Sequence, residues 1–493
     1  MLPKAFLPHL LIAACVVSAS SAAAQSHPIA SSVVKLDVVS DPPDLLAPWQ
    51  TEGIDLGGGS GVIIEGRRIL TNAHVVESAV SIEVKRAGAS ARFPAKVRFI
   101  SHDADLALVE VQDERFFEGA RPIPLGAMPK LQQSVAVYGF PVGGNTLSIT
   151  SGIVSRVEVD TYTHSYRDLL SVQIDAAINS GNSGGPVVTD GTIVGIAMQG
   201  IEHADNVGYM IPSPVIEQFL QDVGDGRFDG VPHLGVALQD MESEAQRKGA
   251  RMKRGQTGVL VLRVDYGGPA YGVLRPRDVI LAIDGHEVAS DETIAWDGAG
   301  RVHLSVAYQN KQIGDTVELS IFRAGERRNE RIELRPHTPL VPGRRRSEWP
   351  RYLQFGGLVF QPLSEQLIDD AEAGYSDAVS FAEAKNLVTQ ARREIILLGQ
   401  VLPHPVNRGY QDWGGEVIRL VNGVIPRDLG HLAVILDDAQ GPWLRVVTND
   451  GFVITMDLEA ARRANPEIRF AYGLDEDRYL GPDTEKKSAR RRR

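Results

Sequence analysis

Asn179-Ser180-Gly181-Asn182-Ser183-Gly184-Gly185-Pro186 sets one serine among glycines, between two strand-like runs, the second being Pro186 to Thr189. A nucleophilic serine needs a backbone that turns tightly, so that Oγ projects while nearby N–H groups converge on a developing oxyanion. Glycine permits such a turn. By itself, a glycine-rich turn with a serine is more often a plain loop. Working outward changes that reading. Thr71-Asn72-Ala73-His74-Val75-Val76 puts a histidine directly after the strand-like Arg68-Ile69-Leu70, and Asp103-Ala104-Asp105-Leu106-Ala107-Leu108 puts acids at the mouth of another strand. A serine alcohol is inert at neutral pH unless a neutral imidazole takes its proton, and a buried carboxylate fixes that imidazole's tautomer. The order is His, Asp, Ser with gaps of 31 and 78 residues. Such gaps suit two small β-barrels, with the histidine and acid on the first and the serine on the second.

Thr71-Asn72-Ala73-His74, Asp105-Leu106-Ala107-Leu108, Asp175-Ala176-Ala177-Ile178-Asn179 and Gly181-Asn182-Ser183-Gly184-Gly185-Pro186 together resemble the Deg/HtrA family of chymotrypsin-fold serine proteases over residues 30–222. The resemblance implies His74 as general base, Asp105 as its orienting acid and Ser183 as nucleophile, with the N–H groups of Gly181 and Ser183 as the oxyanion hole. Asp103 is the competing acid, but an acid directly before Leu-Ala-Leu fits the family pattern. It also implies a pocket lined by Ala177, Ile178, Ile196, Ala197 and Met198, which offers no carboxylate to a basic residue, so cleavage after small or medium apolar residues is expected. Trypsin-type zymogens pair a new N-terminus with an Asp just before the nucleophile. Here that position is Asn182, so control is expected from ordering of loops such as Gly200 to Val207. His102, His164 and His203 are expected on solvated loops. No His/Cys/Asp set has metal-ligand spacing, and no phosphate-binding loop appears, so neither a metal nor another cofactor is expected.

The fold class expected is multidomain: an all-β double barrel of chymotrypsin type over 30–223, then two PDZ-like α+β domains. Short β-runs punctuated by glycine fill the first block, and Pro214 to Val223 reads as a short helix before the Gly224-Asp225-Gly226 boundary. Residues 231–337 resemble a PDZ domain, in which Leu234-Gly235-Val236 forms the loop that takes a peptide's C-terminal carboxylate. Arg277 stands where that family usually has glycine. A linker over 338–350 carries Pro339, Pro342 and Arg344-Arg345-Arg346. The block 351–474 looks like a diverged second PDZ domain, with Phe355-Gly356-Gly357-Leu358-Val359-Phe360 as its loop and strand, Glu416 to Gly423 as a later core strand and turn, and Glu365 to Gln400 read as helix. This layout resembles the plant-organelle branch of the family.

At 493 residues the chain suggests about three domains. Its 51 basic against 62 acidic residues leave −11, the wrong sign for a general nucleic-acid binder. The only cysteine, Cys15, sits in the apolar run Phe6 to Val17, which with Lys4 before it and Ala22-Ala23-Ala24 after it reads as a secretory signal over 1–24. The alternative takes Ile12-Ala13-Ala14-Cys15 as a lipoprotein box. Export leaves the mature chain without a disulfide and points to the periplasm. The segment 475–493 ends in Lys486 to Arg493, six basic residues in eight, and reads as a disordered tail. These observations converge on an ATP-independent serine endopeptidase of the envelope that removes misfolded or damaged proteins under stress. Its expected partners are unfolded protein substrates and peptide C-termini, and the family resemblance implies copies of itself, as trimers or multiples of trimers. A holdase-type scaffold and a dedicated processing protease are the rival readings.

Overall fold

The computed structural model describes residues 29–200, 208–336, 338–344, 347–370, 389 and 391–482. Residues 1–24, expected to be a secretory signal, residues 201–207 with His203, and the basic run Lys486 to Arg493 lie outside the described residues.

Two closed antiparallel barrels of six strands come first. Strands β1 (Val33–Ser40), β2 (Asp55–Ile64), β3 (Arg68–Thr71), β4 (Ala79–Arg86), β5 (Phe93–Ser101) and β6 (Leu106–Val111) close in the order β1-β2-β3-β6-β5-β4. The second barrel comprises β7 (Ser134–Gly139), β8 (Ser148–Thr161), β9 (Asp168–Ile174), β10 (Pro186–Thr189), β11 (Thr192–Gly200) and β12 (Gly208–Pro212), in the order β10-β11-β12-β9-β8-β7. Closure removes free sheet edges, and inward residues alternate along the strands to fill each interior. In the first barrel Val34, Leu36, Ile63, Ile69, Ile82 and Val109 make that filling. In the second, Val135, Val137, Val172, Val187 and Ile211 belong to a larger apolar core that runs on into the next domain.

Helix Ser213–Asp222 makes the join. It starts with Pro214 in its first turn, where a missing N–H costs nothing, and buries Val215, Ile216 and Phe219 on one side. Gln309 Nε2 donates to the Asp168 carbonyl at 2.8 Å, and Gln312 Nε2 to that of Gln218 at 3.1 Å. The first PDZ domain therefore rests on the second barrel. Its sheet runs Val236–Gln239, Val259–Val264, Val279–Ile283, Thr316–Arg323, Glu326–Glu333, so Val236–Gln239 is an edge strand. Arg277 takes φ +75°, the left-handed turn that glycine ordinarily supplies, while the neighbouring Asp278 carboxylate accepts two hydrogen bonds from Arg323 at 2.7 and 2.6 Å.

The last domain has a seven-stranded sheet with its own core. Strand Leu358–Pro362, which follows Gly356-Gly357, has Ile396–Val401 on one side and Tyr352–Phe355 on the other, and the latter pairs onward with Arg478–Tyr479, so the segment 475–493, expected to be a disordered tail, begins as part of this sheet. Within Glu365 to Gln400, expected to be helical, only Glu365–Asp370 is helix among the described residues. Ile396–Val401 is a strand, with Ile396, Leu397 and Leu398 all buried. Buried on both faces, it shows no alternation in sequence, which is why it reads equally as helix or strand. Residues 371–388, including Phe381, Leu387 and Val388, lie outside the described residues.

The two ends of the chain are tied together by packing. Leu340 and Val341, in the segment joining the PDZ domains, are buried with Leu45 from the β1–β2 loop and Leu363 and Leu367 from the last domain. Gln361 Nε2 donates to the Leu45 carbonyl at 2.9 Å.

Candidate active site

The strand β3 ends at Thr71, and helix α1 (Ala73–Val76) lifts His74 to the mouth of the first barrel. Asn72 precedes it in extended conformation, its side chain donating to the Asp105 carbonyl at 2.9 Å. Asp105, directly before β6, is fully buried and sits at φ +51°. A non-glycine residue in that region costs on the order of 1–3 kcal/mol, so the surroundings must hold it there. They do so through the Asn72 bond and through the Asp105 N–H, which donates to the His102 carbonyl at 3.2 Å. Both carboxylate oxygens are thereby aimed at His74: Oδ1 accepts its backbone N–H at 3.0 Å and Oδ2 meets Nδ1 at 2.8 Å. Asp103, two residues earlier, is half-buried, and its backbone carbonyl accepts from Ser165 Oγ at 2.9 Å.

Burial alone lowers the affinity of the His74 imidazole for a proton. The Asp105 charge, its hydrogen bond and then the Glu77 charge outweigh that, leaving His74 above the ordinary imidazole value. For Asp105 burial pushes upward, but the charge and hydrogen bond of His74, followed by the charge of His164, hold it below the ordinary carboxylate range. The His74 side chain keeps 32% of its surface open. It is both oriented and reachable.

The serine loop closes on this pair from the second barrel. Gly184 has φ +83°, and a Cβ there would fall 2.1 Å from the Ser60 carbonyl oxygen and 2.3 Å from Thr71 Oγ1. Only glycine lets the loop approach so closely to the residues leading into His74. Gly181, at φ +93°, is crowded against Phe140 to Val142 in the same way, with 2.5 Å from a would-be Cβ to the Phe140 oxygen. Among the described residues the N–H groups of Gly181 and Ser183 make no hydrogen bond. The Ser183 hydroxyl donates to the Met198 carbonyl at 3.0 Å, and no hydrogen bond joins it to His74.

Ser60, which the sequence reading passed over, ties the halves together. Its N–H donates to the Ser183 carbonyl at 2.8 Å, its Oγ donates to the Gly181 carbonyl at 2.7 Å, and the same Oγ accepts from Phe140 N–H at 2.8 Å. A polar residue between Gly59 and Gly61, where the strand turns from glycine to the buried run Val62-Ile63-Ile64, was the available signal.

Around the serine, Ile196, Ala197 and Met198 are buried in β11, while Ala177 and Ile178 are half-buried. Asp175, the acid directly before this stretch, is turned away, with Oδ1 accepting from Ile153 N–H at 2.5 Å. In the first PDZ domain Leu234 is buried, Gly235 has φ +68° and Val236 opens the edge strand. The expectation of solvated histidines needs correcting. His164 is 8% exposed, and its Nε2 lies 2.9 Å from Nδ1 of the partly covered His102. With Glu77 they form a potential ligand cluster that the absence of metal-ligand spacing did not anticipate. Positions 77, 102 and 164 lie too far apart in sequence to show a spacing and meet only through the fold.

Comparison with known proteins agrees with this geometry. Residues 59–196 match the trypsin-like peptidase domain family, and residues 232–334 and 341–479 each match a PDZ domain family. Protease Do-like 2, chloroplastic, of Arabidopsis thaliana is 38% identical over 453 residues, covering 91% of this chain and 74% of that protein. Putative protease Do-like 3, mitochondrial, of the same organism is 35% identical, covering 89% of this chain and 78% of its own. Among solved structures, the HtrA-type protease AlgW with a tripeptide superposes with a TM-score of 0.50 at 25% identity, covering 63% of this chain and 96% of AlgW.

Proposed function

This chain belongs to the Do-like, or Deg/HtrA, family of serine proteases with PDZ domains, and from that premise we propose that Ser183, His74 and Asp105 carry out its peptide hydrolysis. The observation that carries the assignment is the doubly bonded His74–Asp105 pair facing the serine loop across Ser60 and Gly184. His74 Nε2 takes the Ser183 proton as Oγ bonds to the scissile carbonyl carbon. The carbonyl oxygen, now negative, accepts from the N–H groups of Gly181 and Ser183. His74 then passes the proton to the departing amine, and a water activated by the same imidazole releases the acyl group. Asp105 stays ionised throughout and stabilises the imidazolium.

Substrates are unfolded or damaged proteins cut after small or medium apolar residues. Supporting this are the apolar pocket stretch and an Asp175 side chain engaged elsewhere. Peptide capture belongs to the first PDZ domain, whose strand Val236–Gln239 has a neighbour on one side only. The corresponding strand of the second, Leu358–Pro362, is paired on both sides. An added peptide strand needs an open edge. Action in the bacterial envelope follows from the signal-like Phe6 to Val17, and assembly into trimers from the family resemblance.

Incubation with casein tests the reading. The wild-type chain is expected to fragment it, while Ser183→Ala binds without cutting. Equal, negligible cleavage by both would favour a holdase. Cuts confined to one dedicated substrate in a whole-proteome digest would favour a processing protease.

A further inference from the structure

Beside the catalytic groups, Glu77, His102 and His164 each offer one donor atom within 4.8 Å of the others. His102 Nδ1 and His164 Nε2 are 2.9 Å apart, while Glu77 Oε2 lies 3.7 Å from the other nitrogen of the His164 ring, Nδ1. Two ligands of a tetrahedral zinc with bonds of about 2.0–2.1 Å stand roughly 3.3 Å from each other. His102 Nδ1 and His164 Nε2 are therefore already at ligand spacing to within a few tenths of an ångström, and the Glu77 carboxylate, on a flexible stem, joins them by swinging from the Nδ1 side of the His164 ring to its Nε2 side. The outer nitrogen of His102, Nε2, meets Ser347 Oγ at 3.1 Å. Metal-bound imidazoles carry an orienting hydrogen bond of this kind. Two histidines and one carboxylate suit a borderline-soft divalent ion, with a fourth position left for water.

We propose that Glu77, His102 and His164 form a binding site for one divalent ion of the zinc class, which braces the segments holding the His74–Asp105 pair. Glu77 directly follows helix α1, the His102 carbonyl accepts the Asp105 N–H, and the His164 ring lies 6.1 Å from that of His74. Ser347, in the segment between the PDZ domains, also accepts from Ser78 N–H at 3.3 Å. An ion at this site links three segments of the protease domain and, through Ser347, the connection to the last domain. Binding to the folded form alone raises its stability by mass action. The site does not depend on the role assigned to Ser183.

The test uses the full chain carrying Ser183→Ala, which prevents self-cleavage, stripped with chelator and titrated with zinc chloride alone by calorimetry and thermal unfolding. One ion per chain and a higher unfolding midpoint are expected. Adding His102→Ala and His164→Ala together should weaken binding about 100-fold or more and abolish the rise, whereas adding His74→Ala should change neither. If the double variant does not fold, Glu77→Gln replaces it, with at least a tenfold loss of affinity expected. No stoichiometric binding, unchanged affinity in these ligand variants, or loss on His74→Ala alone would overturn the proposal; the last places the ion on the catalytic pair instead.

Discussion

In the first barrel, Asp105 holds His74 through two hydrogen bonds of 2.8 and 3.0 Å, while in the second the Ser183 hydroxyl rests on the Met198 carbonyl at 3.0 Å. The acid–base half is thus set in its working arrangement, and the nucleophile half is parked on a backbone acceptor. Moving the hydroxyl from Met198 to His74 exchanges one hydrogen bond for another. Since such a bond contributes a net of about 0.5–1.5 kcal/mol, the exchange shifts populations by roughly tenfold at most. That is small beside the 8 kcal/mol or more, as an order of magnitude, that an enzyme removes from a barrier. The contrast locates control in the serine loop and its neighbours, with the imidazole ready in advance.

The strongest way to break this comparison is to remove the first barrel's share. His74→Ala should lower kcat on casein-derived peptides by roughly a millionfold, and Asp105→Asn by about 10⁴, because the wrong tautomer is then favoured. A loss under tenfold for Asp105→Asn would mean that another acid orients the base. The second barrel's share is smaller and separable. Gly181→Ala, which forces a Cβ against Phe140 and Val142, should cost about 10²–10³ in kcat while leaving the shape of the pH profile unchanged.

Ser60→Ala tests the link between halves. Losing its hydrogen bonds to Gly181 and Phe140 should destabilise the fold by about 1–3 kcal/mol, read as a lower unfolding midpoint with activity reduced several-fold. The gentlest probe is pH. A general base must be neutral to act, and His74 is held above the ordinary imidazole value. Activity should therefore fall as pH drops through an acid limb lying above about 6.5. A limb at or below that value in kcat/KM would remove the Asp105 contribution from the account.

Much of this was legible in the sequence, for specific reasons. The residues around His74, Asp105 and Ser183 are short motifs, each fixed by a local backbone requirement, and the two barrels follow from strand runs punctuated by glycine. Ser60 was hidden because its partners, Phe140, Gly181 and Ser183, lie on the other barrel. The Glu77, His102 and His164 cluster was hidden for the same reason. Ile396–Val401 misled because burial on both faces erases the alternation that marks a strand. The paired edge of the second PDZ domain depends on Tyr352–Phe355 returning beside Leu358–Pro362 and being capped by Arg478–Tyr479, more than a hundred residues on.

Labelling with a fluorophosphonate, which phosphonylates only an activated serine, tests the central claim most directly. Peptide mapping by mass spectrometry should find one label per wild-type chain, on Ser183, and none on the His74→Ala variant. A label on a different serine, or labelling of Ser183 at an undiminished rate without His74, would contradict it.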